Sequence, residues 1–181
     1  MSEHLIEKTI STKEVFKGRV IDLVVEEVKL PNGNKSTREI VRHPGAVAVI
    51  AITPENKIVM VEQYRKPLGR TLVEIPAGKL EMGEEPEVTA RRELEEETGY
   101  TCSDLRPLIS FYTSPGFADE IVHLFIAENL EKLENPAELD EDEFLDIKEV
   151  TLEEAEEMVR NKHIYDAKTA YAVQYLLLNK R

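Results

Sequence analysis

With 181 residues, 41% hydrophobic and 33% charged, the chain can bury the core of one domain, or of one domain with a small appendage, and is not disordered. A net charge of −13 excludes the broad basic face that a nucleic acid or an anionic membrane requires, but it allows a small anionic substrate held by a few arginines and bound cations. The lone cysteine, Cys102, excludes an internal disulfide and fits a reducing compartment. Glu3, Glu7 and Lys8 interrupt any apolar run near the N-terminus, so no signal peptide is expected, and the longest apolar stretch, 46–52, is too short for a bilayer. A soluble, cytoplasmic protein is expected.

Residues 4–43 read as strands. Apolar runs at Ile21-Asp22-Leu23-Val24-Val25 and Ile40-Val41 flank Pro31-Asn32-Gly33-Asn34, and Asn-Gly between such runs signals a hairpin. Pro44-Gly45 then breaks the chain. A second strand pair is expected at 46–53 and 57–64, and a short strand at 72–75 before the break Pro76-Ala77-Gly78. Pro86 suits a first helical turn and Gly99 a C-terminal cap, which predicts a helix between them. Strands follow near 105–112, 121–127 and 144–150, with an acidic loop over 131–142. Thr151-Leu152-Glu153-Glu154 is a capping box for one helix, and Asp166 can cap a last one bearing Ala170, Val173, Leu176 and Leu177. The pattern is α+β, with a small β unit ahead of a larger domain.

The chemistry concentrates in 78–100, GKLEMGEEPEVTARRELEEETGY. On a helix Glu93, Glu96 and Glu97 stand at i, i+3 and i+4 and share one face. Carboxylates that close repel one another, and a hard divalent cation removes the conflict; oxygen-only ligation points to Mg²⁺ or Mn²⁺. The competing reading is a solvated acidic helix. Seven glycine, arginine and glutamate positions at roughly 7% each coincide by chance about once in 10⁸ starting points, and local glutamate enrichment removes only two or three of those orders.

This segment resembles the Nudix box, departing only at the last position, usually aliphatic and here Tyr100. The resemblance implies an α/β/α sandwich over 44–181, and over 1–43 an antiparallel β domain that packs on a second copy of the chain to give a homodimer. It implies metal ligation by Glu93, Glu96, Glu97 and the carbonyl of Ala77. Glu84 and Arg92 resemble the pair tying loop to helix, with Arg92 part of the catalytic set. The reaction implied is hydrolysis of a diphosphate: cations offset the substrate's charge and make water acidic enough to attack.

The box sets the reaction class, and other segments must choose the substrate. Ser114-Pro115-Gly116 lies where the ADP-ribose pyrophosphatase branch has a proline turn, although Ser-Pro-Gly by itself is ordinary turn chemistry. Glu62-Gln63-Tyr64-Arg65 and Arg42-His43-Pro44-Gly45-Ala46-Val47-Ala48-Val49 also resemble this branch, in which Arg65 would bind phosphate. Gly18-Arg19-Val20 and Arg38-Glu39 are similar to segments that contact adenosine, partly from the neighbouring subunit; for Arg19, Val20 and Glu39 an ordinary exposed strand position is the competing reading. By resemblance Glu141 is the general base and Glu143 a further ligand, in roles that can be exchanged, and Glu120 is another acidic position near the substrate. The leading substrate is ADP-ribose, split to AMP and ribose 5-phosphate. The alternatives are another nucleotide sugar, such as GDP-mannose, or a sensor without catalysis. An acidic calcium-binding protein is excluded because EF-hand spacing is absent.

Overall fold

The computed structural model describes residues 2–135 and 144–179. The chain forms two compact units, Met1–Gly45 with Phe111–Ile121, and Ala46–Ser110 with Val122–Arg181.

The first unit carries a three-stranded antiparallel sheet of β1 (Lys8–Lys17), β2 (Asp22–Lys29) and β3 (Lys35–Arg42) in that order. β2 and β3 form the hairpin expected around Asn32-Gly33, with Lys29 opposite Lys35 and Asp22 opposite Arg42. Every residue of β1 is exposed, including Ile10, Val15 and Phe16. The segment 114–119 turns back on β3: the N–H of Val41 donates to Phe117 O, and that of Asp119 to Val41 O.

The second unit is built on a mixed sheet. Its strands are β4 (Ala46–Ile52), β5 (Ile58–Arg65), β6 (Arg70–Glu74), β7 (Ala77–Lys79), β8 (Tyr100–Tyr112), β9 (Ile121–Lys132) and β10 (Leu145–Val150), ordered β10-β5-β4-β9-β8, with β6 paired to β5 and β7 to β4. β4 runs parallel to β9, from Ala46 opposite Val122 to Ala51 opposite Ala127. Its sequence, AVAVIAI, is apolar without alternation because helices cover both faces of the sheet. On one face α1 (Pro86–Thr98) buries Ala90 and Leu94 against Val47, Val49, Ala51, Phe125 and Ala127. On the other, α2 (Leu152–Arg160) and α3 (Ala167–Leu178) bury Ala155 and Val173 against Ile58, Met60, Val73 and Val150. The three-layer α/β/α arrangement follows. No helix among the described residues is long and apolar enough to cross a membrane.

The helix signals operate as chemistry. Both bonds of the Thr151 capping box form, Glu154 N–H to Thr151 Oγ1 at 3.2 Å and Thr151 N–H to Glu154 Oε2 at 2.7 Å. The Asp166 carboxylate accepts from Thr169 N–H at 3.0 Å and starts α3. Tyr100 packs at 5% exposure, and its hydroxyl donates to Glu149 on β10 at 2.5 Å, a use that an aliphatic residue would not offer. The expected break Pro76-Ala77-Gly78 holds only at Pro76: Ala77 and Gly78 enter β7, because β4 supplies a partner for this short extended run.

Gly99 closes α1 in the left-handed region, at φ 67°, with its N–H donating to Glu95 O. Gly99→Ala should cost about 1 kcal/mol of unfolding free energy in urea. An unchanged midpoint would show that the cap is not under that conformational demand.

Candidate active site

α1 presents its charge through a few buried groups. Glu93 and Glu97 are 8% and 4% exposed. The Glu97 carboxylate accepts from Ala77 N–H at 2.9 Å, which ties α1 to the first residue of β7. Glu93 lies against Gly78: a Cβ built there would sit 1.8 Å from the Glu93 carboxyl carbon. Gly78 is therefore required for space, so that a carboxylate can rest on bare backbone.

Arg92 gathers the remaining acids. Its Nη1 donates to Glu93 and to Glu96, each at 2.9 Å, and its Nη2 to Glu84 at 3.2 Å. Thr89 Oγ1 holds the same Glu84 oxygen at 2.8 Å, so the loop before α1 is tied to the helix twice. Burial disfavours the Arg92 charge, but the Glu84 hydrogen bond and the charges of Glu93 and Glu96 prevail and raise its pKa. The bond from Arg92, helped by Thr89, lowers that of Glu84. The buried Nε of Arg92 has no acceptor among the described residues.

The donor set suits a hard divalent cation, being all oxygen and concentrated on one face with a cradle cleared by Gly78. Among the described residues, however, no three Asp, Glu, His or Cys side chains converge on a single point. The reason is visible in the bonds: Glu93 and Glu96 turn to Arg92, and Glu97 turns to the Ala77 amide. A cation would have to compete with a guanidinium for the same oxygens. Beside this face lies a cavity of about 770 Å³ between α1 and strands β8 and β9, bordered by Val88, Arg91, Arg92, Glu96, Pro107 and Phe125. Its size is in the range used by small-molecule sites.

Arg65, the last residue of β5, is committed to Glu74. Nε donates to Oε1 at 2.6 Å and Nη2 to Oε2 at 2.8 Å. This bond raises the Arg65 pKa against the effect of burial, and the charge of Glu97 adds to it.

Arg19, Val20, Glu39, Ser114, Pro115, Gly116 and Glu120 lie in the first unit. Arg19 and Val20 form an exposed bend between β1 and β2, and Glu39 is exposed on β3. Ser114, Pro115 and Gly116 make a turn in which Ser114 O accepts from Phe117 and Ala118 N–H. Glu120 accepts from Thr113 Oγ1 at 2.5 Å. Glu141 and Glu143 lie outside the described residues. Sequence reasoning passed over Asp119, which accepts from Arg42 at 2.9 Å and from His43 N–H at 2.8 Å and so pins this turn to the end of β3. It also passed over Glu74 and Lys168. An acid inside the apolar run Leu72-Val73-Glu74-Ile75, two residues before Pro76, was the available signal for Glu74.

The family model of the NUDIX domain matches residues 42–171, and that of the nucleoside diphosphate sugar hydrolase N-terminal domain matches 7–41. The chain is 66% identical to an ADP-ribose pyrophosphatase of Bacillus subtilis over 176 residues, 97% of this chain and 95% of that one. It is 67% identical to a methanol dehydrogenase activator of Bacillus methanolicus over 174 residues, 96% of this chain and 94% of that one. A solved ADP compounds hydrolase shares the fold at a TM-score of 0.84, with 20% identity over 99% of this chain and 100% of the other.

If Gly78 exists to seat Glu93, Gly78→Ala should leave the fold standing, because the obstructing group is the end of a flexible side chain. Its affinity for Mn²⁺ by calorimetry should drop about tenfold or more, the scale at which metal sites respond when their carboxylates are displaced. Unchanged affinity would separate Glu93 from metal binding.

Proposed function

The chain belongs to the Nudix family, and from that premise we propose that it is a hydrolase that splits the diphosphate of ADP-ribose, giving AMP and ribose 5-phosphate. The observation that carries the reading is 66% identity with an ADP-ribose pyrophosphatase over 97% of this chain, both units included. The acidic face of α1 supplies the chemistry such a reaction needs.

Glu93, Glu96 and Glu97, with the Ala77 carbonyl, would hold Mg²⁺, or Mn²⁺ in its place. When bound, the cations offset the charge of the diphosphate and make water a stronger acid. Arg92 keeps the carboxylates together before a cation enters. Arg65 holds a phosphate oxygen, which suits a guanidinium more than an ammonium. Glu141 takes the proton as water attacks phosphorus and the bond to the bridging oxygen breaks, with Glu143 a further ligand; these two roles can be exchanged. By resemblance, Arg19, Val20 and Glu39 contact the adenosine, partly from the neighbouring subunit, and Ser114, Pro115, Gly116 and Glu120 border the substrate.

We further propose a cytoplasmic homodimer made through the domain 1–43, the hydrolase domain being 44–181. The exposed Ile10, Val15 and Phe16 of β1 support this, since an uncovered sheet with apolar side chains is an interface awaiting a partner. The name of the Bacillus methanolicus relative supports a second reading, in which the chain acts on a dehydrogenase.

Incubating the chain with ADP-ribose or GDP-mannose and Mg²⁺, and separating the products by chromatography, tests the proposal. AMP and ribose 5-phosphate are expected, and Glu97→Gln should lower turnover at least about tenfold, a barrier change of roughly 1.4 kcal/mol, while staying folded. Turnover of GDP-mannose alone would reassign the substrate. Stimulation of a methanol dehydrogenase that survives Glu97→Gln would favour the second reading.

A further inference from the structure

Glu74 is 2% exposed and ends a strand whose neighbours Leu72, Val73 and Ile75 are all buried. Taking a carboxylate out of water costs several kcal/mol, and an apolar side chain of similar volume often serves stability as well or better. Stability therefore gives little reason for a glutamate at this place. Its partners suggest another reason.

The carboxylate is held from two sides. Arg65 lays the Nε–Nη2 edge of its guanidinium along both oxygens, which fixes the plane of the ring-like pair and leaves Nη1 unused by Glu74. Lys168, 94 residues further on, donates its Nζ to Glu74 Oε2 and, at 3.0 Å, to Asp166. Ile75 N–H donates to Thr169 Oγ1 at 3.1 Å, so the end of the strand is pinned to the first turn of α3. Arg65 keeps 37% of its side chain exposed although its Nε and Nη2 are bonded to Glu74, and it feels the charge of Glu97 on α1.

A carboxylate this close would weaken Arg65 as an anion binder, since it cancels the charge that attracts phosphate. Lys168 offsets that loss on the same oxygen. The four groups Arg65, Glu74, Lys168 and Asp166 balance in charge, so the buried Glu74 carboxylate is not left to Arg65 alone.

We propose that Glu74 and Lys168 are positioning residues for the substrate's diphosphate: Glu74 fixes the guanidinium plane of Arg65, and Lys168 offsets the carboxylate so that Arg65 still presents positive charge to phosphate. This rests on the assignment of Arg65 to phosphate under the proposed function.

The test is a mutant cycle read by affinity for ADP in the presence of Mg²⁺, measured by calorimetry, because ADP keeps the phosphate contact whatever sugar the enzyme accepts. Kinetic constants are taken in parallel on the nucleotide sugar that the wild-type chain splits. Arg65→Ala should weaken ADP about tenfold or more, and Glu74→Gln and Lys168→Met should each weaken it about three- to tenfold, with the change falling on KM rather than kcat. In the Arg65→Ala background neither should weaken it further, because groups that act through one residue are not additive. If Glu74→Gln does not fold, Lys168→Met carries the cycle, since it keeps the stem and removes only the charge. Equal losses in both backgrounds, or a fall confined to kcat, would overturn the proposal and leave Glu74 and Lys168 as structural residues. An unaltered ADP affinity in Arg65→Ala would overturn it together with the role of Arg65, whereas failure to split ADP-ribose would overturn the substrate assignment and leave the cycle readable.

Discussion

Arg92 is the group on which the site depends. Three glutamates one turn apart repel one another, and two of them are almost wholly buried. α1 is a poor candidate for such a load, because Ala90 and Leu94 are the main apolar residues it sets into the core. A single guanidinium that bonds Glu84, Glu93 and Glu96 turns the repulsion into a network, and the Ala77 amide does the same for Glu97. The helix, the loop before it and β7 are thus held by the same charges that a cation would use.

The second constraint is steric and electrostatic together. β7 must approach α1 closely enough for Glu93 to rest on Gly78, and β5 must end where Arg65 reaches the neighbourhood of Glu97. The sheet does both, since β4 pairs with β7 along one side and with β5 near its other end. On the opposite face α3 reaches Glu74 through Lys168, and its Thr169 hydroxyl accepts from the next N–H, that of Ile75. The C-terminal helix therefore bears on the site even though it holds none of the residues of the box.

Local chemistry was readable in the sequence wherever a short segment contains its own partner. The Thr151 capping box, the Asp166 cap, the turn of the Asn32-Gly33 hairpin and each end of α1, at Pro86 and at Gly99, depend on residues close by in the chain. The shared face of Glu93, Glu96 and Glu97 was readable because their spacing is helical, and the box through the resemblance of 78–100 to the family pattern. The rest depended on distance along the chain. Lys168 lies 94 residues from Glu74, and Arg42 lies 77 from Asp119, so nothing nearby in sequence points from one to the other. The resemblance points to Arg65 as a phosphate ligand without the carboxylate that holds it, and the sequence to Pro76-Ala77-Gly78 as a break without the strand that pairs with Ala77 and Gly78. The gathering of carboxylates by Arg92 could be foreseen for Glu84 and not for Glu93 and Glu96, since an arginine in a helix has several acids within reach and spacing does not choose among them.

The central claim is that the acidic face of α1 is a divalent-cation site held ready by Arg92. Anomalous diffraction from a crystal soaked in Mn²⁺ and ADP tests it most directly. The account predicts manganese bonded to the carboxylates of Glu93 and Glu97, with Arg92 turned away from Glu93 and Glu96. Manganese found elsewhere, or bound while Arg92 keeps both of those bonds, would contradict it.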